Sequence, residues 1–168
     1  MHAAKKVLDK ILAAISVFLF AVLVLDVGWQ VFSREVVGNP STWSEELARY
    51  TFVWLGFFAA ALVFSERGHI AVDFVVRKFP ERVQRAIAVL VQLTIIAFAM
   101  VVLVWGGWRA AMGAWNQNLT ALPTTIGPMY LVMPITGVII TLYAIYHVIA
   151  VLRREEIAVE ASDDAEAV

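Results

Sequence analysis

The sequence predicts an all-α membrane protein: four transmembrane helices with a short interfacial amphipathic helix between the second and third. Two observations predict it. Of 168 residues, 61% are apolar and 16% charged, against roughly 25% charged in an ordinary soluble domain. The apolar residues also gather into four runs, 11–32, 47–64, 87–108 and 130–152, with the 13 Lys/Arg and 14 Asp/Glu almost entirely between them and at the ends. At about 1.5 Å of rise per residue, each run can cross a hydrocarbon core of about 30 Å. No stretch outside the runs approaches the roughly 50 residues of an independent domain. The chain therefore reads as one four-helix transmembrane domain, 1–152, followed by an acidic tail, 153–168, which has no aromatic residue and is expected to be disordered.

Composition removes several kinds of chemistry. There is no cysteine, and His2, His69 and His147 are scattered, so neither a haem pair nor a zinc site at helical spacing can be assembled from the sequence. Gly106-Gly107 lacks the Gly-Lys-Ser/Thr that a phosphate loop needs. No catalytic, cofactor-binding or metal-ligating residue is predicted, and a net charge of −1 gives no indication of nucleic acid.

The first run begins after Lys5, Lys6 and Lys10, as a secretory signal would. Residues 11–25 are followed by Asp26-Val27-Gly28-Trp29 rather than a small-x-small cleavage site, and the run continues through Phe32, so it is read as a retained helix. Orientation follows from the positive charges. Lys5, Lys6 and Lys10, then Arg67, Arg77, Lys78, Arg82 and Arg85, then Arg153 and Arg154 lie on one face, whereas Arg34, Arg49 and Arg109 lie on the other. The positive-inside rule places both termini and the middle connection in the cytoplasm.

The first outer connection is broken by Gly38-Asn39-Pro40, and Thr42-Trp43-Ser44-Glu45 has the spacing of a capping box that would start the second helix. Glu45 and Glu46 would then sit at the positive end of the helix dipole, with Glu45 four residues before Arg49 in the favoured order. These groups are read in two ways, as a well-made helix start or, with Trp43, as a docking surface at the outer rim. In the second connection, Val72, Val75, Val76 and Phe79 fall on one helical face and Asp73 and Arg77 on the other, which predicts a helix lying in the headgroup layer. Pro80 ends it and Pro80-Glu81 opens the third span, while His69 is read as a capping or headgroup-contacting residue. The third connection carries Trp105, Trp108, Arg109, Trp115 and Asn116-Gln117-Asn118, and prolines follow at 123, 128 and 134. All six tryptophans map to the outer half, as lipid anchoring or protein contact on that side would place them.

Asp26 is the ionisable group deepest within a span, with Gln30 one turn on. A buried charge there needs a partner. Arg49, Arg109 or another subunit can supply it, and the carboxylate is either a structural anchor or an ion-coupling group. His147 is expected to reach interfacial water, and Gln92 with Thr94 to make interhelical polar contacts. No span is broken by paired glycines at mid-depth, and no inverted repeat of the kind that builds a transporter site is visible. The pattern is that of a scaffold.

Trp43-Ser44-Glu45-Glu46-Leu47-Ala48-Arg49-Tyr50, with Phe52 and Trp54 after it, and Gly68-His69-Ile70 with Asp73 and Pro80, resemble the signature of the DctQ-like small membrane subunit (small permease component) of TRAP (tripartite ATP-independent periplasmic) transporters. Gln30-Val31-Phe32-Ser33-Arg34 and the segment from Tyr130 to Pro134 are similar as well. The resemblance implies a sodium-coupled, binding-protein-dependent secondary transporter for organic acids or similar solutes in the bacterial inner membrane. Its partners would be a large membrane subunit holding the substrate and sodium sites, a periplasmic solute-binding protein and membrane lipids. This chain would be the scaffold for the large subunit. Trp43, Glu45, Glu46, Arg49, Tyr50, Trp54, Asp26, Gln30 and Arg34 become subunit-contact candidates, and Gly68, His69, Asp73 and Pro80 a cytoplasmic interfacial motif. The alternative is a self-contained four-helix proton-coupled antiporter using Asp26.

Overall fold

The computed structural model describes residues 2–65 and 80–152; the predicted interfacial helix with Gly68, His69 and Asp73, and the acidic tail, lie outside the described residues. The helices are α1 (His2–Glu35), α2 (Thr42–Ser65), α3 (Glu81–Phe98), a π-helical segment (Ala99–Gly106), α4 (Gly107–Gly113), α5 (Ile126–Tyr130) and α6 (Val132–Leu152). α3, the π segment and α4 run on as one rod, and α5 and α6 form the fourth span. Among the described residues, four helical stretches are long and apolar enough to cross a membrane: Lys5–Glu35, Thr42–Ser65, Arg82–Gly113 and Ile126–Leu152. All are longer than the apolar runs, because the helices continue past the hydrophobic residues into polar ends. The protein is an all-α, four-span membrane protein.

The spans pack side by side. α1 lies mainly on α2, α2 on α6, and α6 on α3 and the π segment. α6 is thus central and is the most buried span. We call the side that holds Ser65, Pro80 and Leu152 the terminal end, and the side that holds 36–41 and 114–125 the loop end.

Helices in lipid gain little from hydrophobic burial against one another, so close packing of small residues and polar contacts hold them. The α1–α2 seam follows this rule. On α2, Ser44, Thr51, Phe58 and Ser65 are buried at seven-residue spacing, the repeat of a left-handed helix pair. On α1, Leu12, Asp26 and Ser33 are buried, with Leu8, Ile15 and Leu19 half-buried beside them. α1 stops where Gly38 takes a left-handed φ of 71°. That turn is closed by Ser33 Oγ donating to the Asn39 carbonyl at 3.0 Å and Asn39 N–H donating to the Ser33 carbonyl at 3.1 Å.

The third span meets α6 through small residues. A Cβ on Gly137 would lie 2.8 Å from Leu103 Cβ, and one on Gly107 would lie 2.6 Å from Met133 Cβ. Ala99, Leu103, Gly107 and Ala111 are buried at a spacing of four. An α-helix of 3.6 residues per turn drifts off such a stripe, and the wider π turns cancel that drift, which keeps the four residues on α6. The sequence pattern predicts no π segment. Thr94, expected to bridge helices, instead donates to the Leu90 carbonyl of its own helix at 3.0 Å and is exposed, whereas Gln92 is buried.

Gly137→Ala is expected to cost about 1 to 3 kcal/mol by overpacking and to lower the thermal unfolding midpoint of the purified chain. Gly28→Ala, whose Cβ meets nothing within 4 Å, is expected to leave the midpoint unchanged or raise it, since alanine favours the helix.

Candidate subunit-contact site

The start of α2 carries most of the candidate residues. The helix begins at Thr42, so Ser41 rather than Thr42 occupies the cap position, and its carbonyl accepts Glu45 N–H at 3.3 Å and Ser44 Oγ–H at 3.2 Å. The capping box expected of Thr42 and Glu45 is not formed. Glu45 points away and lies 3.8 Å from Arg49 Nη2, with both side chains about two-thirds exposed or more, an arrangement worth little in stability. Trp43 is exposed.

Glu46 faces the opposite way. Its carboxylate accepts three consecutive backbone N–H groups from the third connection: Thr120 at 3.1 Å on Oε1, and Ala121 and Leu122 at 2.8 Å on Oε2. Successive N–H groups at a turn form an anion-binding concavity, and here the anion is a side chain of the protein itself. The turn is folded back by Leu119 N–H to the Thr124 carbonyl at 2.9 Å and by Ile126 N–H to the Gln117 carbonyl at 2.8 Å. Pro123 follows directly and has no N–H to satisfy. Trp54 ties α2 to α5 lower down, donating from Nε1 to the Met129 carbonyl at 3.1 Å and meeting Phe58 edge-on at 5.7 Å. Glu46 and Trp54 therefore hold the loop end together within the chain. Tyr50 is half-buried between them along α2.

The remaining candidates separate. Asp26 is buried but meets neither Arg49 nor Arg109: Arg49 sits on Glu45, and the Arg109 guanidinium lies 5.0 Å from the Trp105 ring. Asp26 Oδ2 and Gln30 Nε2 are both buried without a hydrogen-bond partner among the described residues. Arg34 is exposed and donates from Nε to Glu35 Oε1 at 2.9 Å. Pro80 is exposed and precedes α3, its carbonyl accepting Val83 N–H at 2.8 Å and Gln84 N–H at 3.1 Å.

A second polar cluster, at the terminal end, goes beyond the sequence expectations. Asp9 Oδ1 accepts Ser65 Oγ–H and Tyr143 O–H, each at 2.6 Å, and Oδ2 accepts Lys5 Nζ–H at 3.2 Å. His147 is buried with Nε2 3.2 Å from the Ser65 carbonyl, so it faces α2 rather than interfacial water. One carboxylate thus joins α1, α2 and α6. Its sequence signal is the Lys5/Asp9 pair at one end of the first run and Tyr143/His147 near the end of the last, which a four-span topology brings to the same side.

Glu46→Ala is expected to speed hydrogen exchange at the Thr120, Ala121 and Leu122 amides while the helical core stays protected. Arg49→Ala is expected to leave those amides unchanged. Equal exchange at these amides in both variants would remove Glu46 as the anchor.

Residues 23–154 match the family described as tripartite ATP-independent periplasmic transporters, DctQ component. The chain is 27% identical over 134 residues to the sialic acid TRAP transporter small permease protein SiaQ of Vibrio cholerae, covering 80% of this chain and 77% of that one. It is 23% identical over 133 residues to a putative TRAP transporter small permease protein of Haemophilus influenzae, covering 79% and 80%. A third relative, the sialic acid TRAP transporter permease protein SiaT of Haemophilus influenzae, is 33% identical over 66 residues, 39% of this chain but only 11% of its own length. With four spans in the structure and a match along most of its length, this chain belongs to the DctQ family of small TRAP permease components and is a multi-pass protein of the bacterial inner membrane.

Proposed function

We propose that this chain is the static wall of a sodium-coupled, binding-protein-dependent TRAP transporter for organic acids or similar solutes, packed against a large permease subunit that holds the substrate and sodium sites. The observation that carries the proposal is the pair of carboxylate clamps. Asp9 cross-links α1, α2 and α6 at one end, and Glu46 cross-links α2 to the 114–125 connection at the other. Both carboxylates are committed to contacts inside the chain, where they brace the spans. A coupling carboxylate would have to exchange partners during transport. The match to a short part of a long permease protein agrees with a role beside a larger membrane subunit.

The surface left for partners at the loop end is what the clamps do not use. It comprises Trp43, Glu45, Arg49 and Arg34, all exposed. We assign contacts with the large subunit or the solute-binding protein to these residues and not to Glu46. With both termini in the cytoplasm, the loop end faces the periplasm, where a soluble binding protein docks.

Two experiments test this reading. In proteoliposomes, the chain alone is expected to show no sodium-driven uptake, and uptake is expected to appear when the large subunit and binding protein are added. Uptake by the single chain would overturn the scaffold reading and return Asp26 to consideration as a proton-coupling group. For orientation, tags at both termini are expected to be protected in intact cells stripped of their outer membrane, and one at Asn118 to be labelled. Labelled termini would reverse the topology.

A further inference from the structure

The three lysines at the start of α1 divide into two kinds. Lys5 is turned inward, with its Nζ 3.2 Å from Asp9 Oδ2 and 6.0 Å from the Tyr143 ring centroid. Lys6 and Lys10 are exposed, one turn apart, and neither has an acidic partner among the described residues. They lie on the side of α1 turned away from the buried seam. Along that same side, at helical spacing, follow Ala14, Val17 and Ala21, all exposed, Val17 at 68%.

Depth gives this face its chemistry. α1 has 34 residues, about 51 Å of helix, against a hydrocarbon core of about 30 Å. With the apolar run starting at Ile11, Lys6 and Lys10 stand at headgroup level and the small residues below them at acyl-chain level. We propose that this face binds one anionic phospholipid, its phosphate between the two ammonium groups and an acyl chain along Ala14, Val17 and Ala21. A soluble phosphate matches only the upper half of such a site. An anionic lipid matches both halves, and its charge complements two lysines without an acidic partner among the described residues. The bound lipid pins the depth of α1 at the end where Asp9 gathers α1, α2 and α6.

The test uses the full chain purified in a neutral detergent, with native mass spectrometry after addition of equal amounts of phosphatidylglycerol and phosphatidylcholine. The wild-type chain is expected to retain phosphatidylglycerol preferentially. Lys6→Gln with Lys10→Gln is expected to reduce that preference by about five-fold per lysine, the effect of one basic residue near an anionic surface. Lys6→Arg with Lys10→Arg should restore it, which separates lost binding from misfolding, and Arg34→Gln at the opposite end should not change it. Equal retention in the wild type and the double glutamine variant would overturn the proposal. So would displacement of phosphatidylglycerol by an equimolar amount of inorganic phosphate, or unchanged lipid retention with loss of a co-purifying membrane protein, which would give the face to a partner helix.

Discussion

The Glu46 carboxylate, held by three consecutive backbone N–H groups of the loop at 120–122, fixes the loop end on which the rest of the structure depends. α2 and the fourth span are separated in sequence by the third span and both its connections. Without hydrophobic force between helices in lipid, their approach has to be set by directed contacts. Glu46 supplies one at the rim, and Trp54 supplies another below it through the Met129 carbonyl. Between them they set where α5 begins, and α5 leads directly into α6, the span against which the third span packs.

At the other end, Asp9 meets the same need with a different kind of donor. Its partners are side chains on α1, α2 and α6, whereas those of Glu46 are backbone groups of a loop. A carboxylate accepting several hydrogen bonds loses little on leaving water, because each bond replaces one to solvent. The two clamps sit close to the ends of the spans, where the charge need not be carried through the hydrocarbon. Anchoring both ends leaves the middle of the protein free to be largely apolar and packed through small residues, as Gly137 against Leu103 is.

The four spans were legible because a run of about 20 apolar residues matches the thickness of a bilayer and far exceeds what one face of a soluble helix requires, and the motif around Trp43 to Tyr50 carried the family. The direction of individual side chains was not legible. Glu45 and Glu46 are neighbours in sequence and look alike as helix-start acids, yet the helix turns one to Arg49 and the other to the loop. The loop donors are backbone groups, which leave no trace in residue types. The helix start differs by one residue from the capping pattern, and it is the Ser41 carbonyl that accepts Glu45 N–H and Ser44 Oγ–H, while the Ser41 hydroxyl is buried without a hydrogen-bond partner among the described residues. The π segment was invisible for a related reason: it is selected by the spacing of Ala99, Leu103 and Gly107 against α6, a tertiary demand and not a propensity of 99–106.

Asp26 and Gln30 show what such a seam tolerates. A buried polar atom left without a partner costs on the order of 1 to 3 kcal/mol, and Asp26 Oδ2 and Gln30 Nε2, which face each other one turn apart on the same helix, complete no hydrogen bond among the described residues. The α1–α2 seam repeats every seven residues, with Ser44, Thr51, Phe58 and Ser65 on α2. A repeat of that kind lets two helices slide by one heptad and find nearly the same contacts, unless some positions differ. Leu12 and Asp26 stand two heptads apart on α1, one apolar and one charged, so their positions are not interchangeable. A one-heptad slip would break the bonds of Asp9 to Ser65 and carry Asp26 to another turn of α2. Polar residues at single seam positions specify register at a cost in stability. In this chain that cost falls in the loop-end half of α1, opposite the end at which Asp9 is fully bonded.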